Sequence, residues 1–462
     1  MKGRTLWLVL AAGLLMRLAL MPVTLHSDLL FIHYFPSMFS LHGAWDVYGH
    51  FGTLFLSQGF TYYPPLVYYL IGFSQWPIVR VDPGLALFLA HLNEVMRVQV
   101  GGAEPLAVFL APFTRPETSR FLLWLKSPYL AADIVCLALA ARALGGIRFA
   151  VKSWWLDPVL IFSTYAMGQY RVLSCAIVWL ALVWVREGKR TRAFAALGAL
   201  ALMENYAFLI GPAVLLATAK DRRELLRLAV VATALFAAVF VPLYVSSDGY
   251  VRFAYVSSTI RAVALGSITN RFAGMTGPAS KILFSVLLAA LLGFLAAKRQ
   301  VAAQLSDEQR FRAFASAAAV VLLLMYATSR ISFHYVLWVL PPLAVERRYG
   351  APWPRVLDAV FVVTLALFAL DRRELNLGLL APLDPVYFAS FPSLHEAADA
   401  MFGCLPLPET VFRWLRWGAV VAAGRLIFSG LCLFFAWRLF ALRLRPLLAP
   451  RARRIVEGSV AR

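Results

Sequence analysis

Near its N-terminus the chain reads Lys2-Gly3-Arg4-Thr5-Leu6-Trp7-Leu8-Val9-Leu10-Ala11-Ala12-Gly13-Leu14-Leu15-Met16-Arg17-Leu18-Ala19-Leu20-Met21-Pro22-Val23. Thr5–Val23 approaches the roughly 20 apolar residues that a helix needs to cross a hydrocarbon core. Lys2 and Arg4 precede it, Arg17 interrupts it, and no small-residue cleavage site follows. We therefore expect a retained membrane anchor rather than a signal peptide. Eleven more apolar stretches follow, at 121–141, 154–167, 172–185, 193–203, 205–218, 229–246, 279–297, 313–326, 332–346, 357–370 and 417–437. The 462 residues are 61% apolar and 15% charged, with mean hydropathy +0.73. A soluble chain averages about 45–50% and about 25%. This excludes a soluble enzyme, a disordered chain and a fibrous repeat. The expected fold is an all-α polytopic membrane protein with about twelve (11–13) transmembrane segments.

A net charge of +20 and a pI near 10.2 would suggest nucleic acid in a soluble protein. The distribution of charge points elsewhere. With the N-terminus inside, the inner segments hold 27 of the 44 basic residues in 83 positions, against 13 in 184 positions outside. That asymmetry is the positive-inside bias, and it gives an N-in, C-in topology. The basic turns and the tail around Arg443, Arg445, Arg451, Arg453 and Arg454 then meet anionic lipid headgroups, with no nucleic acid as partner. Four regions follow: an anchor at 1–23, a long first outer loop at 24–120 with embedded juxtamembrane helices, a transmembrane core at 121–346, and C-terminal spans at 347–462 with an outer loop at 371–416. Three of the four cysteines fall within spans, and only Cys404 faces outside, so no disulfide joins outer loops. No zinc spacing, phosphate loop or GxSxG is present.

Intramembrane and outer-face polar residues are costly in lipid and mark function. The stretches 154–167 and 172–185 are about 14 residues each, or roughly 21 Å of helix, as is 205–218. These are too short to span as straight helices, so Gly168-Gln169-Tyr170-Arg171 and Glu204-Asn205-Tyr206 are expected below the outer surface, lining a cavity. Alternatively, these are ordinary helices with one polar residue each. The outer loop opens with His26-Ser27-Asp28-Leu29-Leu30-Phe31-Ile32-His33-Tyr34. Asp28 there is either a general base at a cavity or, with Ser27, a helix N-cap. Arg330-Ile331-Ser332-Phe333-His334-Tyr335 places Arg330 and His334 as phosphate contacts, or as a snorkelling cation and a packed ring. Arg252, Arg261 and Arg271, in the 247–278 segment, are further phosphate candidates or ordinary surface residues. The elaboration of one face and the lack of an internal repeat favour an enzyme over a symmetric carrier.

Taken in order, Arg17-Leu18, Ser27-Asp28, Gly43 to Tyr48, Tyr62-Tyr63-Pro64-Pro65-Leu66, Lys126-Ser127-Pro128 to Ala132-Asp133, Asp157-Pro158, Gly168-Gln169-Tyr170 and Phe333-His334-Tyr335 form a pattern. Over roughly residues 5–346 the chain resembles the GT-C superfamily of multispanning, lipid-donor glycosyltransferases. It looks most like the ER glucosyl- and mannosyltransferases that use dolichyl-phosphate sugars, and their prokaryotic relatives. The resemblance implies an inverting transfer of a hexose from a polyprenyl-phosphate donor to a glycan, lipid or protein hydroxyl. Asp28 would be the base, and His334, with Arg330 beside it, would contact the donor phosphate; Arg271 and Arg261 stay candidates for that contact from their place in the 247–278 segment alone. His33, Tyr62, Tyr63, Gln169, Arg171, Glu204 and Asn205 would line the cavity. The alternatives are a lipid flippase or transporter, or an inactive assembly subunit. No metal is expected, although Asp28 with Asp46 or Glu204 offers carboxylates for one. Arg171 and Glu204-Asn205 depart from the family pattern, and an ion pair between Arg171 and Glu204 is one reading of that double change. Arg-heavy, Lys-poor usage fits a prokaryotic plasma membrane and leaves an ER membrane open.

Overall fold

The computed structural model describes residues 3–46, 63–98, 109–246, 278–328, 333–350, 356–357, 359–364, 377–389, 392, 396–397, 400 and 417–448. Every regular element among them is a helix. The first five long ones are α1 (Gly3–Leu20), α2 (Ser27–His42), α3 (Pro65–Val81), α4 (Pro83–Val98) and α5 (Arg115–Leu144). Then come α6 (Arg171–Arg186), α7 (Arg190–Ala201), α8 (Ala207–Thr218), α9 (Arg222–Ser246), α10 (Pro278–Ala297), α11 (Asp307–Thr328), α12 (Leu340–Arg348) and α13 (Trp417–Leu439).

Among the described residues five helices are long and apolar enough to cross a membrane: Gly3–Leu20, Arg115–Leu144, Arg222–Ser246, Asp307–Thr328 and Leu426–Leu447. Two of them are nearly bare. Only 11% of the apolar window of α1 and 6% of that of α9 is buried in protein, and Trp7, Leu8, Leu15 and Val230 stand exposed. Apolar surface on that scale is covered by lipid, not water.

Several expected spans differ in form. The segment 24–120 holds helices as expected, α2 to α4, and α5 begins within it at Arg115. The 121–141 stretch belongs to a 30-residue helix, whose start is fixed by Glu117 accepting from the Thr114 N–H and hydroxyl at 2.8 Å each. The 154–167 stretch is not one helix. Wide turns at Val151–Trp155 and Phe162–Ala166 flank a four-residue α turn, Pro158–Ile161, which Asp157 caps through the Val159 and Leu160 N–H groups. The 332–346 stretch begins as a tight 3-10 turn, Phe333–Val339, before α12.

At the centre lies α11, buried along almost its whole length and in contact with α6, α8, α10, α12 and α13. Its run Ala313, Ala315, Ser316, Ala317, Ala318, Ala319 lets neighbouring backbones approach closely. One end of the bundle collects the short basic turns: Arg190 pairs with Glu224 (2.9 Å) and Asp307 (2.7 Å), Arg186 with Glu308 (3.3 Å), and Arg142 with Glu187. Arg348 donates to the Ala143 carbonyl there as well. These are the segments that the charge count assigns to one side of the membrane.

Inside the bundle two buried cations tie elements together. Arg17 pairs with Asp133 on α5 at 2.7 Å and donates to the carbonyls of Gly13 and Trp155. Lys126 donates to the Thr24 carbonyl (2.6 Å), the Thr24 hydroxyl (2.9 Å) and the Tyr165 carbonyl (2.8 Å). Lys126 thereby pins the turn that carries the chain from α1 into α2, just ahead of Asp28.

Candidate active site

Asp28 sits in the first turn of α2, where a carboxylate is favoured by the helix dipole. The cap itself is His26, whose Nδ1 accepts from the Asp28 N–H at 3.1 Å. Neither Ser27 nor Asp28 is the N-cap, which leaves the Asp28 carboxylate available for other work. His26 Nδ1 also lies 3.6 Å from Asp28 Oδ2, longer than a hydrogen bond.

The partner of Asp28 is Gln169. Its Nε2 donates to Asp28 Oδ2 at 2.5 Å, while its Oε1 accepts from Arg171 Nη1. The guanidinium thus fixes which way the amide faces, and the amide fixes one carboxylate oxygen. His334 Nδ1 lies 3.9 Å from the same oxygen. The Asp28 side chain keeps 36% of its surface exposed, in contrast to the fully buried Gln169. One oxygen is held and the carboxylate remains reachable, which suits a general base.

Gln169 reaches Asp28 because the chain turns sharply at 167–170, between the wide turn Phe162–Ala166 and α6. Gly168 makes that turn with φ +71°. A Cβ there would lie 2.7 Å from Leu29 Cδ1 and 2.8 Å from Leu29 Cβ. Gly168→Ala is therefore expected to destabilise the protein by about 1–3 kcal/mol through strain and contact with α2. Denaturant unfolding of the purified variant checks this, and an unchanged midpoint would mean the turn relaxes freely.

Arg171 is buried, 1% exposed, and its guanidinium lies over the rings of Tyr335 (4.2 Å), Tyr170 (5.0 Å) and Trp338 (5.6 Å). No ion pair joins it to Glu204, contrary to that expectation. Arg171 is committed to Gln169, and Glu204 accepts from Ser174 Oγ at 3.2 Å. The Ser174 hydroxyl also reaches the Arg171 carbonyl at 2.8 Å, so it links the two turns where the charges do not. The Tyr170 hydroxyl and the Trp338 indole N–H are directed at the Glu204 carboxylate as well. Tyr63 stands edge-on to Tyr170 at 5.1 Å, and its N–H is held by Tyr68 Oη at 2.8 Å. The Leu66 N–H donates to the Leu202 carbonyl at 3.0 Å, tying the start of α3 to the turn at 202–206.

The structure therefore brings together Asp28, Gln169, Arg171, Tyr63, Glu204 and His334, with Asn205 next to Glu204 in the chain. It does not bring His33 to them. His33 is fully buried between Tyr129 (3.0 Å) and Gln75 (2.7 Å). It belongs to a polar seam, continued by Ser40–Gln75 (3.0 Å) and Ser37–Asn93 (2.9 Å), that joins α2 to α3, α4 and α5. His33, Ser37 and Ser40 recur at helical spacing, a signal the sequence contained. Arg330, Arg261, Arg271 and Tyr62 lie outside the described residues. Trp338 and Ser174 were not foreseen, since a lone Trp or Ser in an apolar run carries no sequence signal. Among the described residues no three His, Cys, Asp or Glu side chains gather as a metal centre.

No protein-family model, curated protein or solved structure matches the chain.

Proposed function

We propose that the chain is an inverting membrane glycosyltransferase that moves a hexose from a polyprenyl-phosphate donor to a hydroxyl acceptor. In this reading it has about twelve spans, both termini inside, anionic lipid against its basic turns, and its chemistry at the outer face of a prokaryotic plasma membrane or the lumenal face of the ER. The observation that supports it is Asp28: a partly exposed carboxylate in an apolar assembly, with one oxygen pinned by an amide that is itself oriented by a buried guanidinium.

In the proposed step the acceptor oxygen attacks the anomeric carbon opposite the phosphate. The new glycosidic C–O bond forms as the bond from the anomeric carbon to the phosphate oxygen breaks, and the electron pair departs with the phosphate. The acceptor proton passes to Asp28 Oδ1, the oxygen that Gln169 leaves free. Configuration at the anomeric carbon inverts. His334 supplies a donor, and Arg171 a positive potential, as charge grows on the leaving phosphate; Arg330, Arg261 and Arg271 are further candidates for that contact. Desolvation by the surrounding aromatic rings strengthens each of these interactions.

The test is reconstitution. Purified protein in liposomes, supplied with polyprenyl-phosphate hexose and a membrane glycolipid extract, is expected to release polyprenyl phosphate and form a new glycoside of opposite anomeric configuration. Movement of the donor lipid between leaflets with no glycoside formed would establish a flippase instead.

A further inference from the structure

The end of the bundle that collects the basic turns holds a cavity of about 230 Å³, open to the surface and roomy enough for a phosphate group. Among its lining residues, Lys189, Arg190, Thr191 and Arg192 come from the start of α7, and Glu224 and Arg227 from the first turns of α9. Four cations thus face one carboxylate. That carboxylate is already engaged: Glu224 accepts from Arg190 Nε at 2.9 Å, from the Lys220 N–H at 2.6 Å and from Arg227 Nη2 at 3.4 Å. Two more acids draw on the same cations, Asp307 accepting from Arg190 Nη1 and Glu187 from Lys189 Nζ, at 2.7 Å each. Donors remain after these bonds. Arg190 keeps Nη2, Lys189 keeps two of its three ammonium protons, and the Arg192 guanidinium and Thr191 hydroxyl are exposed with no hydrogen bond among the described residues. The first N–H groups of α7 add to them, because no side chain caps that helix.

A net-positive cavity with donors converging from two helices recognises an anion that offers several acceptor oxygens, and a phosphate group is that anion. A soluble phosphate and a lipid headgroup share this chemistry, and α9 separates them. Only 6% of the apolar window of α9 is buried in protein. Leu226 and Val230, 64% and 55% exposed, flank Arg227 along that helix. A headgroup in the cavity therefore has a bare apolar surface beside it for its acyl chains, which a soluble phosphate would leave unused. We propose that the cavity is a binding site for the phosphate of an anionic glycerophospholipid whose chains lie along α9. The proposal rests on the assignment of anionic lipid to the basic turns and sharpens it from a general surface attraction to one built site. A headgroup held there bridges the starts of α7 and α9, which the Arg190–Glu224 pair already joins, and Asp307 ties α11 to the same point.

Native mass spectrometry of the purified chain in detergent, titrated with phosphatidylglycerol, phosphatidylcholine or inorganic phosphate, reads the site directly. The wild type is expected to hold one phosphatidylglycerol at least about tenfold more tightly than phosphatidylcholine, whose headgroup carries its own cation. Arg192→Gln/Arg227→Gln removes two exposed cations that the fold does not depend on, and should weaken phosphatidylglycerol by about tenfold or more. Arg148→Gln/Lys152→Gln takes the same charge from another basic turn, and should change that affinity by less than about threefold, since screening confines each charge to its surroundings. Equal losses in the two double variants would mean diffuse attraction and overturn the site, as would a wild type that does not distinguish the two lipids. Inorganic phosphate bound as tightly as phosphatidylglycerol would make the cavity a site for a soluble anion and overturn the lipid assignment. No sugar donor is present, so each outcome stands apart from glycosyl transfer. The orientation beneath the proposal has its own readout: an impermeant thiol reagent added outside intact cells should not label Lys152→Cys above the wild type. Labelling from outside would defeat the topology, while the lipid titration would still decide the cavity.

Discussion

Under the proposed glycosyl transfer, Asp28→Asn is expected to lower the rate by about 10²–10⁴-fold while leaving donor binding nearly unchanged. The substitution conserves shape and replaces the carboxylate proposed to take the proton. Gln169 Nε2 can still donate to the carbonyl oxygen of the new amide, since the donation it makes to Asp28 Oδ2 at 2.5 Å needs only an acceptor. The link from α2 to the turn ahead of α6 therefore survives, and so does the arrangement of Arg171 behind the Gln169 amide. What is lost acts only as the acceptor hydroxyl sheds its proton, so kcat falls and KM for the donor moves little. Asp28→Glu keeps the carboxylate but extends it by one methylene past Gln169. It is expected to recover part of the rate, because position as well as basicity matters for a general base. Single-turnover measurement with a labelled polyprenyl-phosphate hexose checks both variants. Wild-type turnover in Asp28→Asn would remove the aspartate from the chemistry.

Fold class was legible from the number and length of apolar stretches, and the grouping of basic turns at one end of the bundle from the charge count. These are properties of composition along the chain, and lipid imposes them strongly. Position in space was less legible. The joint at 154–170 escapes a 3.6-residue reading because two wide turns break its period around Pro158. Glu204 and Arg171 looked like an ion pair because opposite charges at two short-helix junctions invite one. The structure instead satisfies them locally, through Ser174 and Gln169, and no sequence pattern announces a hydroxyl or an amide in that role. His33 illustrates the same limit, since its neighbours Gln75 and Tyr129 lie 42 and 96 residues away. Asp28, by contrast, was singled out from its place just past the first span, and the structure adds the residue that holds it.

The buried charge of α1 leads to the second large effect. A span meant only to anchor would be apolar all round, yet the two residues that α1 buries are Gly13 and Arg17. The helix is held to the bundle by its polar edge. Arg17 places its fork on three acceptors at once, Asp133 Oδ2 (2.7 Å) and the Gly13 and Trp155 carbonyls (2.9 Å each), with its guanidinium 3.7 Å over the Trp155 ring. Asp133 is completed by Trp154 Nε1 (2.7 Å) and Tyr165 Oη (2.8 Å). Removing either charge strands the other in a dry interior. Arg17→Leu and Asp133→Leu are each expected to destabilise by about 3–5 kcal/mol. The double variant should lose less than their sum, since it leaves no stranded charge, with a coupling of about 0.5–3 kcal/mol. Arg17→Lys should fall between wild type and Arg17→Leu, because an ammonium keeps the charge but cannot reproduce the planar fork. Unfolding of each variant in mixed detergent micelles gives the four midpoints. Strictly additive losses would mean that Arg17 and Asp133 act separately. A coupled loss accompanied by lower transfer activity would further show that α1, through the turn pinned by Lys126, holds Asp28 in place.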